Sequence, residues 1–333
     1  MKFKLTPLEK KWVLYDVGNS AFTLMVSTIF PIYFNYLAEN VGIIEENYLA
    51  YWGYATSVCT LIVALLGPTL GAIADTRNFK KAIFTIAMAV GVLGCVVLGF
   101  LSSWIWFLVV FVIAKTGYSA SLVFYDSMLT DVTEPERMDT VSSHGYAWGY
   151  IGSCIPFVAC LGIVLGAGSL GISMQTSMIL AFIVTAAWWL CSSMPLLFSY
   201  RQKYFAEAGT HVVRNSFKRL GHTFAELTKE KRIFVFLLAF FFYIDGVYTV
   251  IDMATAYGTA LGLDTTGLLL ALLLTQIVAF PCSLLFGKFS AKFKSEKLIK
   301  VCILGYFGIA LFALQLDRAW EFWFLAVCVA VFQ

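Results

Sequence analysis

The chain has 333 residues, of which 60% are hydrophobic and 13% charged, and its net charge is +3. Soluble domains carry about 25% charged residues, so the composition excludes a water-soluble globule and points to an all-α polytopic membrane protein. Nothing in the charge balance asks for a nucleic-acid partner. A span needs about 20 mostly apolar residues. Nine such runs follow one another, over about 12–38, 49–74, 82–101, 104–126, 142–167, 175–198, 232–260, 266–287 and 300–316. A tenth starts near Trp320 and reaches Gln333. The first run follows Lys10 and Lys11 but carries Asp16 and Asn19, which does not suit a cleaved signal peptide.

Basic residues fall on alternate loops. Of the 23 Lys and Arg, 21 collect on one side, Arg318 alone falls on the other, and Lys115 lies within a span. The opposite side opens with Glu39, Glu45 and Glu46. The positive-inside bias predicts a cytoplasmic N-terminus in a multi-pass protein of the cytoplasmic membrane. The one long connection, 199–231, is basic. Within it Val213, Phe217, Leu220, Phe224 and Leu227 recur at helical spacing, which predicts an amphipathic helix, either on the inner membrane surface or packed on the bundle. It divides the chain into 1–198, a six-span bundle, and 232–333, spans seven to nine with the start of a tenth.

The two parts echo one another. Gly71-Ala72-Ile73-Ala74-Asp75 ends span 2 and leads into Arg77, Lys80 and Lys81, while Gly287-Lys288-Phe289-Ser290-Ala291 ends span 8 and leads into Lys292, Lys294 and Lys297. Tyr15-Asp16-x-Gly18 in span 1 is matched by Tyr243-x-Asp245-Gly246 in span 7. A repeat of six spans is the mark of a two-bundle secondary transporter, and on that reading the second bundle is incomplete in this chain.

The run Gly71-x-x-x-Asp75-x-Arg77-x-x-Lys80-Lys81 resembles the loop signature of the major facilitator superfamily. Residues 12–22, Phe30-Pro31-x-Tyr33-Phe34, Leu122–Tyr125, Gly145–Gly152 and Phe242–Thr249 resemble one branch of it, the UMF family of bacterial carriers, related to fungal autophagy-linked vacuolar amino-acid effluxers. The resemblance implies an alternating-access carrier of two six-helix bundles whose spans 1, 4, 7 and 10 line a central cavity. It also implies amino acids as a lead for the cargo, with efflux as the relatives' direction. Three departures stand out: Ala291 replaces the first copy's Asp75, and Lys115 and Asp126 stand where the branch has neutral residues.

Ionisable residues inside a span are expensive and functional by default. Lys115 in span 4 and Asp245 in span 7 both fall near mid-bilayer, so they are expected to pair and to couple cargo or proton to the movement of the bundles. A static pair, or two separate charges facing water, is the plain alternative. Asp252, seven residues after Asp245, shares its face nearer the outside, and Tyr248 lies close by. Asp16 and Asn19, one turn apart in span 1, either contact cargo or bind loop backbone. Asp126 marks an inner gate or a solvated end of span 4. Asp75 is expected to latch the inner side against a helix N-terminus of the other bundle. Gly145, Gly149 and Gly152 form a close-packing stripe on span 5, expected to slide against span 8, which Gln276 and Pro281 mark.

The eight cysteines form no C-x-x-C pair and are read as packing residues. His144, His211 and His222 stand at or beyond span ends. No Walker loop, metal-binding spacing or nucleophile elbow is present, so neither cofactor nor catalysis is expected. The predicted protein is a monomeric secondary carrier of a small polar solute, with protons as candidate coupling ions. A non-transporting sensor or an intramembrane enzyme on the same fold is the alternative.

Overall fold

The N-terminus is set by a capping box. Thr6 accepts the Glu9 amide at 3.3 Å, Glu9 Oε2 accepts the Thr6 amide at 2.7 Å, and Pro7 occupies the first helical turn. From here the computed structural model is helical, and it describes residues 3–205, 221–222, 225–227, 229–290, 292–293 and 295–332. The helices are α1 (Pro7–Ser27), α2 (Ile29–Glu39), α3 (Glu45–Ala74), α4 (Phe79–Gly99), α5 (Trp104–Val132), α6 (Met138–Leu165), the single turn α7 (Ala167–Leu170) and α8 (Met174–Ser199). After the linker come α9 (Lys231–Ala260), α10 (Thr265–Ser290), α11 (Ser295–Ala313) and α12 (Ala319–Phe332). The expected amphipathic helix over 213–227 lies largely outside the described residues.

Among the described residues, eight helices are long and apolar enough to cross a bilayer, one fewer than the nine expected. The ninth run is helical, but α11 opens on Glu296, Lys297 and Lys300 and ends at Ala313, with Leu314 and Gln315 in a turn. Its apolar stretch is therefore shorter than the residue run suggests.

Span 1 is also not one helix. Proline at position 31 has no N–H, so the Ser27 carbonyl loses its partner four residues on. The chain breaks at Thr28 (φ −129°, ψ −82°), where the Thr28 hydroxyl turns back to the Leu24 carbonyl. The freed Ser27 carbonyl accepts instead from the hydroxyl of Thr255 on α9.

Helix α1 sits at the centre of the first six spans, between α6 and α8, while α4 packs on α5 and α8, and α3 on α5. An aromatic core fills the space between them: Phe22, Phe30, Phe34, Phe107, Phe111, Phe182 and Trp189 are all fully buried. Close helix approach is enforced at Gly91 and Gly94, where added methyl groups would meet Trp189 at 2.5 Å and Ala114 at 2.6 Å. In the later spans α10 packs on α6, α12 packs on α10 and α11, and α9 touches α1, α3 and α10. Its stretch from Ile233 to Phe242 is largely exposed.

Candidate functional site

The site is built on the seam between α1 and α5. Trp12 stacks on Tyr125 with ring centroids 4.2 Å apart. The two side chains exchange hydrogen bonds with each other's backbone: Trp12 Nε1 donates to the Tyr125 carbonyl at 3.1 Å, and the Tyr125 hydroxyl donates to the Trp12 carbonyl at 3.2 Å. Further along, Tyr15 bonds Ser121 at 2.7 Å and Thr23 bonds Tyr118 at 2.5 Å. Every polar group in this zipper is satisfied, so the two helices act as one wall.

Beside that wall, toward the basic end of the bundle, stand the carboxylates of Asp16 and Asp126. Asp16 is 7% exposed and accepts from Asn19 Nδ2 at 3.2 Å. Neither Asp16 nor Asp126 forms an ion pair with a Lys or Arg among the described residues. Asp126, Tyr146 and Tyr248 are exposed.

The glycine stripe of span 5 makes room for this arrangement. A methyl at Gly145 would stand 3.1 Å from Asp16 Oδ2, one at Gly149 would stand 2.6 Å from Ser20 Oγ, and one at Gly152 would stand 2.5 Å from Val17. The stripe thus packs against span 1, not against span 8 as expected. Small residues repeating at helical spacing mark a close neighbour without saying which. Span 8 is met by the other face of α6, where Ser283 donates to the Ser143 carbonyl at 3.0 Å and Trp148 meets Phe280 edge-on.

In the half away from the basic end, Lys115 Nζ is paired with Asp252 Oδ2. The expected partner, Asp245, is exposed and forms no side-chain hydrogen bond or ion pair among the described residues. The reason is helix length. Helix α5 runs to Val132, beyond the expected end at 126, so its midpoint falls past Lys115. At 1.5 Å per residue Lys115 lies about 16 Å from the Trp104 end and Asp252 about 12 Å from the Ala260 end, whereas Asp245 is mid-helix. Phe111 stands below the Lys115 ammonium at 5.9 Å, and Cys59 accepts from Thr116 beside it at 3.6 Å. Tyr248 stands one turn before Asp252 on α9 and is exposed. No hydrogen bond or ion pair links half-buried Gln276 to this cluster among the described residues.

At the basic end, Asp75 is exposed at the C-cap of α3, and a side chain at Gly71 would meet open space. Arg77 lies over the Phe205 ring at 5.1 Å, and Lys81 is exposed. Lys80, however, is buried and reaches Asp131 at 3.4 Å. Asp131 is a hub that the sequence reading missed. It is fully buried and accepts from the Tyr200 hydroxyl at 2.5 Å and from the Lys203 and Tyr204 amides at 2.9 and 3.0 Å. Glu9, also missed, holds Arg137 in a two-point pair at 2.7 and 2.9 Å and accepts from Thr133 at 2.6 Å.

Residues 8–135 and 130–333 match the family model described as "Vacuole effluxer Atg22 like". The chain belongs to that family. Over 338 residues this Atg22-like chain is 39% identical to the uncharacterized MFS-type transporter YxiO of Bacillus subtilis (strain 168), covering all of this chain and 79% of that one. It is 23% identical over 345 residues to Autophagy-related protein 22 of Coccidioides immitis (strain RS), with 81% of this chain and 56% of that protein aligned. A D-xylose-proton symporter superposes with a TM-score of 0.63 over 98% of this chain and 80% of its own, at 13% identity, a likeness that shows the fold alone. The Atg22-like chain is therefore a multi-pass membrane protein of the major facilitator fold, and the relatives it matches are transporters.

Proposed function

We propose that this Atg22-like protein is an alternating-access carrier of a small polar solute, with its basic end in the cytoplasm and its two bundles, 1–198 and 232–333, joined by the 199–231 linker. The observation that carries the proposal is the Lys115–Asp252 pair. It joins span 4 to span 7 across the far half of the molecule, while Asp126, Tyr146 and Tyr248 stay accessible beneath it. Thr255 on the Ser27 carbonyl adds a second contact across the same seam. Both contacts support a reading in which the outer side is closed.

Release needs a change in charge. A proton on Asp252, or an ionised group of the cargo arriving by way of Tyr248, weakens the pair and lets the outer end part. Asp16, Asn19 and Asp126 provide the contact surface for cargo. Asp75 and the 77–81 loop form the inner latch in the alternate state. The carrier works as a monomer, and the family description and the fungal relative make amino acids and efflux the first substrate class and direction to assay.

Counterflow of labelled amino acids in proteoliposomes, with and without a proton gradient, tests the proposal. Asp252→Asn is expected to lower exchange at least tenfold, and Asp245→Asn to leave most of it. Binding of solutes without any counterflow would instead identify a sensor on a carrier fold.

A further inference from the structure

The opening residues of the linker are fastened to the first bundle. Tyr200 ends α8, with its amide on the Leu196 carbonyl at 2.8 Å and its backbone extended at φ −67°, ψ 133°. From there the chain runs past the Val132 end of α5, where Asp131 receives it. The Tyr200 hydroxyl reaches Oδ2, and the Lys203 and Tyr204 amides reach Oδ1. Lys80 on α4 holds the same carboxylate. Residues 200–204 therefore form a strap, pinned to one buried acid before and after Gln202.

Gln202 itself reaches the loop between α3 and α4. Its Oε1 accepts from the Asn78 amide at 3.1 Å, while Nε2 donates to the Ala74 carbonyl at 3.1 Å and to the Tyr204 carbonyl at 3.2 Å. Ala74 and Asn78 are four residues apart, so their carbonyl and amide are the pair that one more turn of α3 would join. The carboxamide stands between them and satisfies both. A carboxamide is suited to this because it carries an acceptor and two donors in one plane, which neither a carboxylate nor a guanidinium does.

The loop's own geometry is a separate observation. Asn78 is the one non-glycine residue at positive φ among the described residues, at 68°. Asn tolerates that left-handed region better than most side chains. It also stands at the N-cap of α4 and makes no side-chain capping bond there. Within the loop, backbone support comes from the Thr76 amide on the Ile73 carbonyl at 3.0 Å and the Phe79 amide on the Thr76 carbonyl at 3.1 Å. The Asn78 amide and the Ala74 carbonyl depend on Gln202. Beside them Arg77 lies over the ring of Phe205, so loop and strap meet at a second point.

We infer that Gln202 is a positioning residue of the inner latch: its carboxamide, held in place by the strap on Asp131, keeps residues 74–78 open as a loop and thereby sets where Asp75 stands. This rests on the reading of Asp75 as the inner latch for its part in transport, but the hold on the loop is tested without transport.

Hydrogen–deuterium exchange of the full chain in detergent, resolved to single amides by fragmentation, reads the hold at Asn78. Gln202→Ala is expected to speed exchange of that amide about tenfold and to leave the interiors of α4 and α5 as in the parent. Gln202→Glu, which keeps an acceptor for the Asn78 amide and loses the donors to Ala74 and Tyr204, should return most of the protection. Arg201→Ala, exposed and next in the chain, should leave the Asn78 amide protected. In counterflow, Gln202→Ala should lower the maximal rate severalfold and keep KM within about twofold, because the side chain acts on the latch and not on the cargo. Unchanged protection of Asn78 in Gln202→Ala overturns the inference. So does faster exchange spread evenly over α3, α4 and α5 in both Gln202 variants, or a raised KM at an unchanged maximal rate. Loss of protection confined to the loop, in a chain whose parent shows no counterflow, would leave the hold standing and sink the transport reading instead.

Discussion

Helices α1 and α5 meet one another and meet α9 in different ways. Between α1 and α5, the Trp12–Tyr125 stack, its reciprocal hydrogen bonds and the Tyr15–Ser121 bond are buried and mutually satisfied. Against α9 they offer an ion pair and one hydroxyl on a carbonyl that Pro31 has set free. The first seam is costly to open anywhere along its length. The second concentrates its polar contacts at a few points. On the proposed carrier reading, these are the points that a proton or ligand reverses, and a bundle interior and a moving interface differ in how their polar groups are satisfied.

The largest test of the rigid side is Asp131→Ala, which strands buried Lys80 and removes the anchor of the Tyr200, Lys203 and Tyr204 donors. Breaking such a buried pair costs about 3–5 kcal/mol, and thermal unfolding in detergent should show a lower midpoint. Next comes the reversible side. A double-mutant cycle on Lys115→Met and Asp252→Asn should give a coupling of about 2 kcal/mol, with the double variant more stable than the Lys115→Met single. If Lys115 coupled to Asp245 instead, the pairing would be misassigned. Gly152→Ala, which drives a methyl into Val17, should cost about 1–2 kcal/mol by overpacking α1 against α6, whereas a methyl at Gly246 would meet open space and should not. Smallest is Thr255→Val, worth about 1 kcal/mol, with its effect on conformational balance rather than on unfolding.

Most spans were legible because hydropathy is local, and the family because its motifs are contiguous. Both members of the ion pair were visible as charges at the wrong depth for lipid. Their pairing was not, because it depends on where α5 ends, and hydropathy blurs that point once Asp126 and Asp131 enter the helix. The glycine stripe was legible as close packing but not as packing on span 1. Phe22, Phe30, Phe34, Phe107 and Phe111 form a core that hydropathy does not reveal, since apolar bulk carries no label for which side of a helix it faces. Glu9 and Asp131 were passed over because they stand at span ends, where a charge costs little unless tertiary contacts bury it.

The most direct test of the outer closure is a distance. Spin-label amino acids at Asn40, after α2, and Leu261, after α9, report the gap between spans 1 and 7 at the end away from the basic loops. Double electron–electron resonance on the Lys115→Met/Asp252→Asn chain should show a longer-distance population that the parent lacks. An unchanged distribution would contradict the claim that this pair holds the outer end shut.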